Sequence, residues 1–375
     1  MKKTLGLYLH IPFCKSKCHY CDFCSFAHMD EDTLDKYCMA LEGEIAAYGR
    51  QMRAYTVNTI YFGGGTPTYL PAARLSALLL AVAKHFSIAE DAEISTECNP
   101  ATVDGAALSL LRHAGFNRLS IGAQSLNDTE LALLGRIHTA KDFAETYTLA
   151  RRAGFDNISA DLMFGIPAQT GESFAKTLSG LVSLAPEHIS AYGLKIEEGT
   201  PFFEKKESLS LPNEDQEREM YMRAVDLLSE NGYARYEISN FAKAGRESRH
   251  NLRYWEREDY LGMGLSAYSC LGNERFSNTD DMARYLSGER VAERELVSEH
   301  DALCEAVMLG MRLERGIDLS SLAQKYGAGA YDYEKRLAPY EKGGFVRKTA
   351  GGYAFTSEGM YVSNAILSEI LDFEA

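Results

Sequence analysis

Short apolar runs alternate with longer amphipathic stretches over the first part of the chain. The apolar runs fall at 5–9, 58–62, 92–98, 118–123, 157–163 and 188–193. Between them, residues 34–48, 72–85, 106–113, 128–134, 141–153 and 173–184 carry apolar side chains at every third or fourth position. Short runs bounded by Gly or Pro mark parallel strands buried on both faces, and the intervening period is that of helices packed on a sheet. Glu31, Asp32 and Asp35 lead the first helix, where the positive end of the helix dipole favours acid. Six strand–helix repeats predict an α/β fold. Polar groups recur at the ends of the runs. This favours a partial (β/α)6 TIM-like barrel over a doubly wound sheet and puts an active site at the carboxyl ends of the strands.

Beyond Thr200 the pattern changes. Pro201, Lys205-Lys206 and Pro212 mark a linker, and Asn213 followed by Glu214 and Asp215 starts a helix that Asn231-Gly232 stops. Residues 233–237 read as a strand, and 261–267 as a glycine-rich segment. The tail predicts helices over 302–312, 319–326 and 332–341, a hairpin of 345–348 with 353–355, and a last helix over 358–371. Helices with a two-stranded wing make a winged-helix-like α+β domain. The expected division is 1–200 for the barrel core, 201–299 for an extension that completes it, and 300–375 for the C-terminal domain.

Composition narrows the partners. A net charge of −14 argues against nucleic acid, and the tail itself has eight Lys and Arg against eleven Asp and Glu, so its winged shape lacks a basic groove. The run 5–9 is too short for a signal peptide and ends at Pro12, which suggests a cytoplasmic protein. Eight cysteines in 375 residues suit metal binding in a reducing compartment rather than a disulfide framework. Cys38, Cys98 and Cys304 lie among apolar neighbours, as small buried residues do.

The candidate chemistry begins at Cys14-Lys15-Ser16-Lys17-Cys18-His19-Tyr20-Cys21. Three thiolates at this spacing grip a soft metal centre. With His19 or Cys24 as a fourth ligand the loop would be a zinc knuckle. With three ligands on a four-iron cube, one iron is left open. An open iron can be chelated by the amino and carboxylate groups of S-adenosylmethionine, whose sulfonium bond an electron from the cluster then cleaves.

The triplet with Tyr20 before its last Cys is similar to the radical S-adenosylmethionine (radical SAM) superfamily. Tyr8-Leu9-His10-Ile11-Pro12-Phe13-Cys14 resembles the oxygen-independent coproporphyrinogen III oxidase family within it. The resemblance implies a [4Fe-4S] cluster on Cys14, Cys18 and Cys21, with Cys24 a neighbour rather than a ligand. It implies that Gly64, Gly65 and Thr66 of the GGGTP turn hold the amino group of S-adenosylmethionine. Tyr8, Glu97, Gln124 and Asp161 would contact the cofactor, and Arg136 would meet the methionine carboxylate.

His250, Asn251, Tyr254 and Trp255 form an HNxxYW pattern that resembles the heme-chaperone branch of that family. Imidazole ligates heme iron and aromatic rings pack a porphyrin face, which makes His250 a heme candidate. The alternative is a His–Asn pair closing the barrel rim, with Tyr254 and Trp255 in the core. Two departures from the oxidase favour the chaperone branch: the chain starts almost at Tyr8, and the cysteine after the triplet is displaced to Cys24. The implied function is to bind heme and deliver it to acceptor hemoproteins, respiratory ones among them. A flavodoxin or ferredoxin would donate electrons if radical chemistry occurs. The rivals are coproporphyrinogen III dehydrogenase and another radical enzyme acting on heme.

Overall fold

The protein, a computed structural model describing residues 3–374, is organised around one 12-stranded mixed sheet. Its first six long strands are β1 (Lys3–Ile11), β2 (Tyr55–Gly64), β3 (Ile88–Cys98), β4 (Arg118–Gln124), β5 (Ile158–Phe164) and β6 (His188–Gly193). Each pairs in parallel with the next in the chain. A doubly wound sheet reverses strand order at a switch point. Here the order never reverses, so the units coil as a barrel.

The barrel stays open. β6 is followed by β7 (Asn240–Ala242), which runs antiparallel to it. On the other side β1 pairs in parallel with β8 (Tyr260–Met263), after which β9 (Tyr268–Leu271), β10 (Glu274–Asn278) and β11 (Val291–Leu296) continue as an antiparallel meander. The first three residues of the glycine-rich 261–267 are therefore barrel strand. The strand expected at 233–237 shrinks to Ala234–Arg235.

Period-two alternation decides what each barrel strand shows to its two sides. Leu5, Leu7 and Leu9 of β1 are fully buried against the helices, as are Leu119, Ile121 and Ala123 of β4. The other parity points inward and is polar: Tyr8 and His10, then Arg118, Ser120 and Gln124, then Ser159 and Asp161. The helices follow the predicted periodicity, and their starts have local causes. Asp30 accepts from the Thr33 amide ahead of Glu31–Gln51, and Asn213 and Gln216 form a reciprocal capping box ahead of Glu214–Glu230.

The C-terminal unit packs helices Glu299–Gly310, Leu319–Tyr326 and Asp332–Lys342 beside a small sheet of Ile317–Asp318, Val346–Lys348 and Gly352–Phe355. The wing thus has three strands, not two. The last helix is broken at Val362 into Ser357–Tyr361 and Ser363–Ile370. Charged pairs tie this unit to the barrel: Arg257 and Arg275 reach Glu305 at 2.8 and 2.6 Å, and Arg235 reaches Glu314 at 2.6 Å.

Candidate functional site

The cysteine loop, the glycine turn and the polar strand ends meet around one cavity of about 450 Å³ at the carboxyl end of the barrel. Cys14, Cys18, Cys21, Gly64, Gly65, Thr66, Glu97, Gln124, Arg136 and Asp161 all line it. The loop is held at both ends by backbone hydrogen bonds. The Thr66 amide donates to the Phe13 carbonyl at 2.7 Å, and the Gly65 amide to that of Ile11 at 2.9 Å. On the far side the His19 amide donates to Leu134 and its carbonyl accepts from Phe202, both at 3.0 Å. Tyr20 packs against the apolar group of Leu134, Met163, Ile166 and Phe202.

Two glycines are needed for this approach. Gly64 has φ +118, and a side chain there would meet the His10 ring. A Cβ on Gly65 would lie 2.7 Å from the Phe13 carbonyl oxygen and 2.9 Å from Cys14 Sγ.

A girdle of hydrogen bonds links two of the cysteines. Thr66 Oγ1 lies 3.5 Å from Cys14 Sγ and accepts from Asn99 Nδ2 at 2.7 Å. Asn99 Oδ1 accepts from Arg136 Nη2 at 2.7 Å, and Arg136 Nη1 points at Cys18 Sγ at 3.5 Å. Arg136 Nη2 also donates to the Gly122 carbonyl at 3.0 Å. Part of the guanidinium fork expected for a ligand carboxylate is thus already engaged. Asn99 was not foreseen; its signal is the turn Cys98-Asn99-Pro100 directly after the Glu97 strand end. Burial pushes the Cys14 thiol up, and that of Cys21 up to about 11.

The two residues that could complete a zinc knuckle each have a neighbour of their own. His19 Nδ1 lies 3.0 Å from the Leu133 carbonyl oxygen, and Cys24 sits beside Ser266 and Asp280.

The acidic wall has two characters. Asp161 accepts from three hydroxyls, those of Ser120, Ser159 and Ser190, at 2.7–2.8 Å. Glu97 accepts from Tyr61 at 3.0 Å and from the Gly64 amide at 3.2 Å. Burial raises its pKa to about 7, with Asp161 adding to the effect. An acid whose folded pKa is raised stabilises the fold below its unfolded pKa, and that contribution is lost as pH rises through the folded value. Glu97→Gln in cofactor-free protein should therefore gain on wild type between about pH 4.5 and 7, by roughly 1–3 kcal/mol at pH 8. Urea unfolding at several pH values measures this; a difference that does not change with pH would contradict it. Gln124, at φ +61, accepts from the Tyr192 hydroxyl at 2.8 Å.

Tyr8 and His250 lie deeper in the barrel. The Tyr8 hydroxyl is 3.0 Å from His10 Nδ1, and its ring stacks on Tyr61, so it reaches the cavity through Tyr61 and Glu97. His250 lies in the first turn of the helix Arg249–Trp255. Its Nδ1 is 2.9 Å from Thr59 Oγ1, its Nε2 is 2.8 Å from the Tyr254 hydroxyl, and its amide donates to Glu93. The ring is buried against Tyr61, and burial lowers its pKa to about 3. Here its ring bridges Thr59 of β2 and Tyr254 of its own helix, while its amide ties that helix to Glu93 of β3.

Comparison with known proteins places these features in a family. Residues 8–180 match the radical SAM superfamily, and residues 297–362 match the HemN C-terminal domain. The heme chaperone HemW of Bacillus subtilis is 35% identical, over 97% of this chain and 98% of its own. The bovine mitochondrial radical S-adenosyl methionine domain-containing protein 1 is 36% identical, over 83% of this chain and 74% of its own. Among solved structures, the Escherichia coli coproporphyrinogen III oxidase HemN, a radical SAM enzyme, superposes with a TM-score of 0.86 at 28% identity, covering 98% of this chain and 90% of that one. Full-length likeness at this level, on a barrel whose cysteine loop and glycine turn share one cavity, places the chain in the radical SAM superfamily as a member of the HemW family.

Proposed function

We propose that this chain is a heme chaperone that binds heme and passes it to acceptor hemoproteins, with a [4Fe-4S] cluster on Cys14, Cys18 and Cys21 and S-adenosylmethionine in the adjoining cavity. The observation that carries the reading is full-length similarity to relatives named heme chaperones, 35% in Bacillus subtilis and 32% in Haemophilus influenzae.

The donor chemistry fits the cofactors. Three thiols on one loop, all lining the same cavity, suit a cluster that keeps one iron free. When bound, the cluster supplies an electron and an open coordination position for the amino-acid end of the sulfonium cofactor. The chain's own groups hold the reactants. Cys14, Cys18 and Cys21 give up their protons as iron binds. Arg136 sets a positive charge beside the Cys18 sulfur. Glu97, poised near neutrality, ionises when a cationic amino group enters, and Asp161 is fixed by its three serines as an acceptor for ligand hydroxyls. A small electron carrier such as flavodoxin or ferredoxin would serve the cluster if radical chemistry is used. Free cysteines suit a reducing cytoplasm, and among the described residues no helix is long and apolar enough to cross a membrane.

One sample decides between chaperone and oxidase. Anaerobically reconstituted protein should bind heme near one to one and should not convert coproporphyrinogen III to protoporphyrinogen IX under reducing conditions. Robust conversion would assign it to the oxidase chemistry of its structural neighbour.

A further inference from the structure

We infer that the C-terminal unit contains a second, independent metal site, a zinc-type site formed by His300, Cys304 and Asp372. His300 and Cys304 are four residues apart on the helix Glu299–Gly310 and so share one face. Asp372 comes from the tail after the last helix. His300 Nε2 lies 3.6 Å from Cys304 Sγ and 3.6 Å from Asp372 Oδ1, and Cys304 Sγ lies 3.8 Å from the same oxygen.

These separations are those of ligands around one ion. The point equidistant from the three atoms is about 2.1 Å from each, against ~2.0–2.3 Å for zinc bonds to nitrogen, oxygen and sulfur. A tetrahedron with such bonds has edges of about 3.3–3.6 Å, so the observed triangle needs only a few tenths of an ångström of adjustment. The mixed donor set is one that zinc accepts and that calcium and magnesium, which take oxygen ligands, do not.

Neighbouring groups support the ligands. Arg336 donates to both oxygens of Asp372, at 2.7 and 2.9 Å, and orients the carboxylate. The Tyr333 hydroxyl is 3.4 Å from Cys304 Sγ, within reach to donate to a thiolate. His300 Nε2 now lies 2.7 Å from the Asp372 backbone carbonyl, and metal binding would exchange that hydrogen bond for a metal bond. Cys304 is buried while His300 and Asp372 are exposed, so the ion would sit at the surface with its fourth position open to water. Bound there, it would clip the tail to the helix Glu299–Gly310, far in sequence from the cysteine loop.

The test uses the full chain with its cluster reconstituted, dialysed against zinc(II) alone. Zinc per chain is measured by elemental analysis, and its ligands by X-ray absorption at the zinc edge. The expected result is one zinc per chain with a single sulfur neighbour, and affinity weaker by at least about tenfold in His300→Ala and Asp372→Asn. Both residues are exposed, so these variants keep the fold even if Cys304→Ser does not. Zinc held adventitiously on the cysteine loop would be indifferent to them. Equal zinc in wild type and both variants, zinc without a sulfur neighbour, or no zinc at all would overturn the site and leave a hydrogen-bonded tail pin. None of these outcomes bears on heme binding.

Discussion

Replacing Cys18 by Ser is expected to remove the brown iron–sulfur chromophore from anaerobically reconstituted protein, while replacing Cys24 by Ser leaves it intact. Cys18 is the middle of three thiols on one cavity wall and receives the Arg136 end of the girdle. A serine hydroxyl is a harder and far less acidic donor than a thiol, and so a much poorer ligand for cluster iron. Cys24 turns toward Ser266 and Asp280, and its carbonyl accepts from His10 at 2.9 Å. Iron and sulfide content per chain, with the visible spectrum, reads the outcome. Unchanged iron in Cys18→Ser would refute the ligand assignment, and loss of iron in Cys24→Ser would make it a fourth ligand.

Replacing Glu305 by Gln should cost about 3–5 kcal/mol of stability, the range for breaking a buried ion pair by removing one partner. Its carboxylate sits between Arg257 and Arg275, and the Arg257 side chain is only 5% exposed. Without the carboxylate, a guanidinium between the barrel and the C-terminal unit keeps its desolvation cost and loses its counter-charge. Replacing the pair together, Arg257→Met with Glu305→Leu, should lose less, because the buried guanidinium goes with its counter-charge and only the partly exposed Arg275, which also faces Glu295, loses a partner. Urea unfolding of the three proteins tests both statements. A single variant within about 0.5 kcal/mol of wild type would show that the pair is solvated in solution.

The parts of the fold that rest on burial could be read from residue order. Leu5, Leu7 and Leu9, or Leu119 and Ile121, are apolar because helices cover them, and that constraint writes strand positions directly into the chain. The meander β8–β11 was not legible for the opposite reason. In Val291–Leu296 every residue is exposed, so little selects for an apolar pattern, and Gly262 and Gly264 hide β8 inside what looks like a loop. The site divides in the same way. The cysteines and the glycine turn are legible because the CxxxCxxC spacing stands out in the chain and close backbone approach restricts residue type. Asn99, Ser120 and Ser190 were missed because they act through partners that only the barrel brings together. His250 shows the converse: a conspicuous motif whose ring nitrogens bond to Thr59 and Tyr254.

The placement of β1 between residues 55–64 on one side and 260–263 on the other has a consequence for biosynthesis. Translation delivers the cysteines long before residues 260–263, so one flank of their supporting strand stays bare until that later segment has emerged. Pairings this distant in sequence form slowly and leave edges exposed in the meantime. Iron insertion that depends on the finished scaffold is therefore a late, post-translational event, and a nascent chain stalled before residue 260 presents its thiols on an unguarded strand edge.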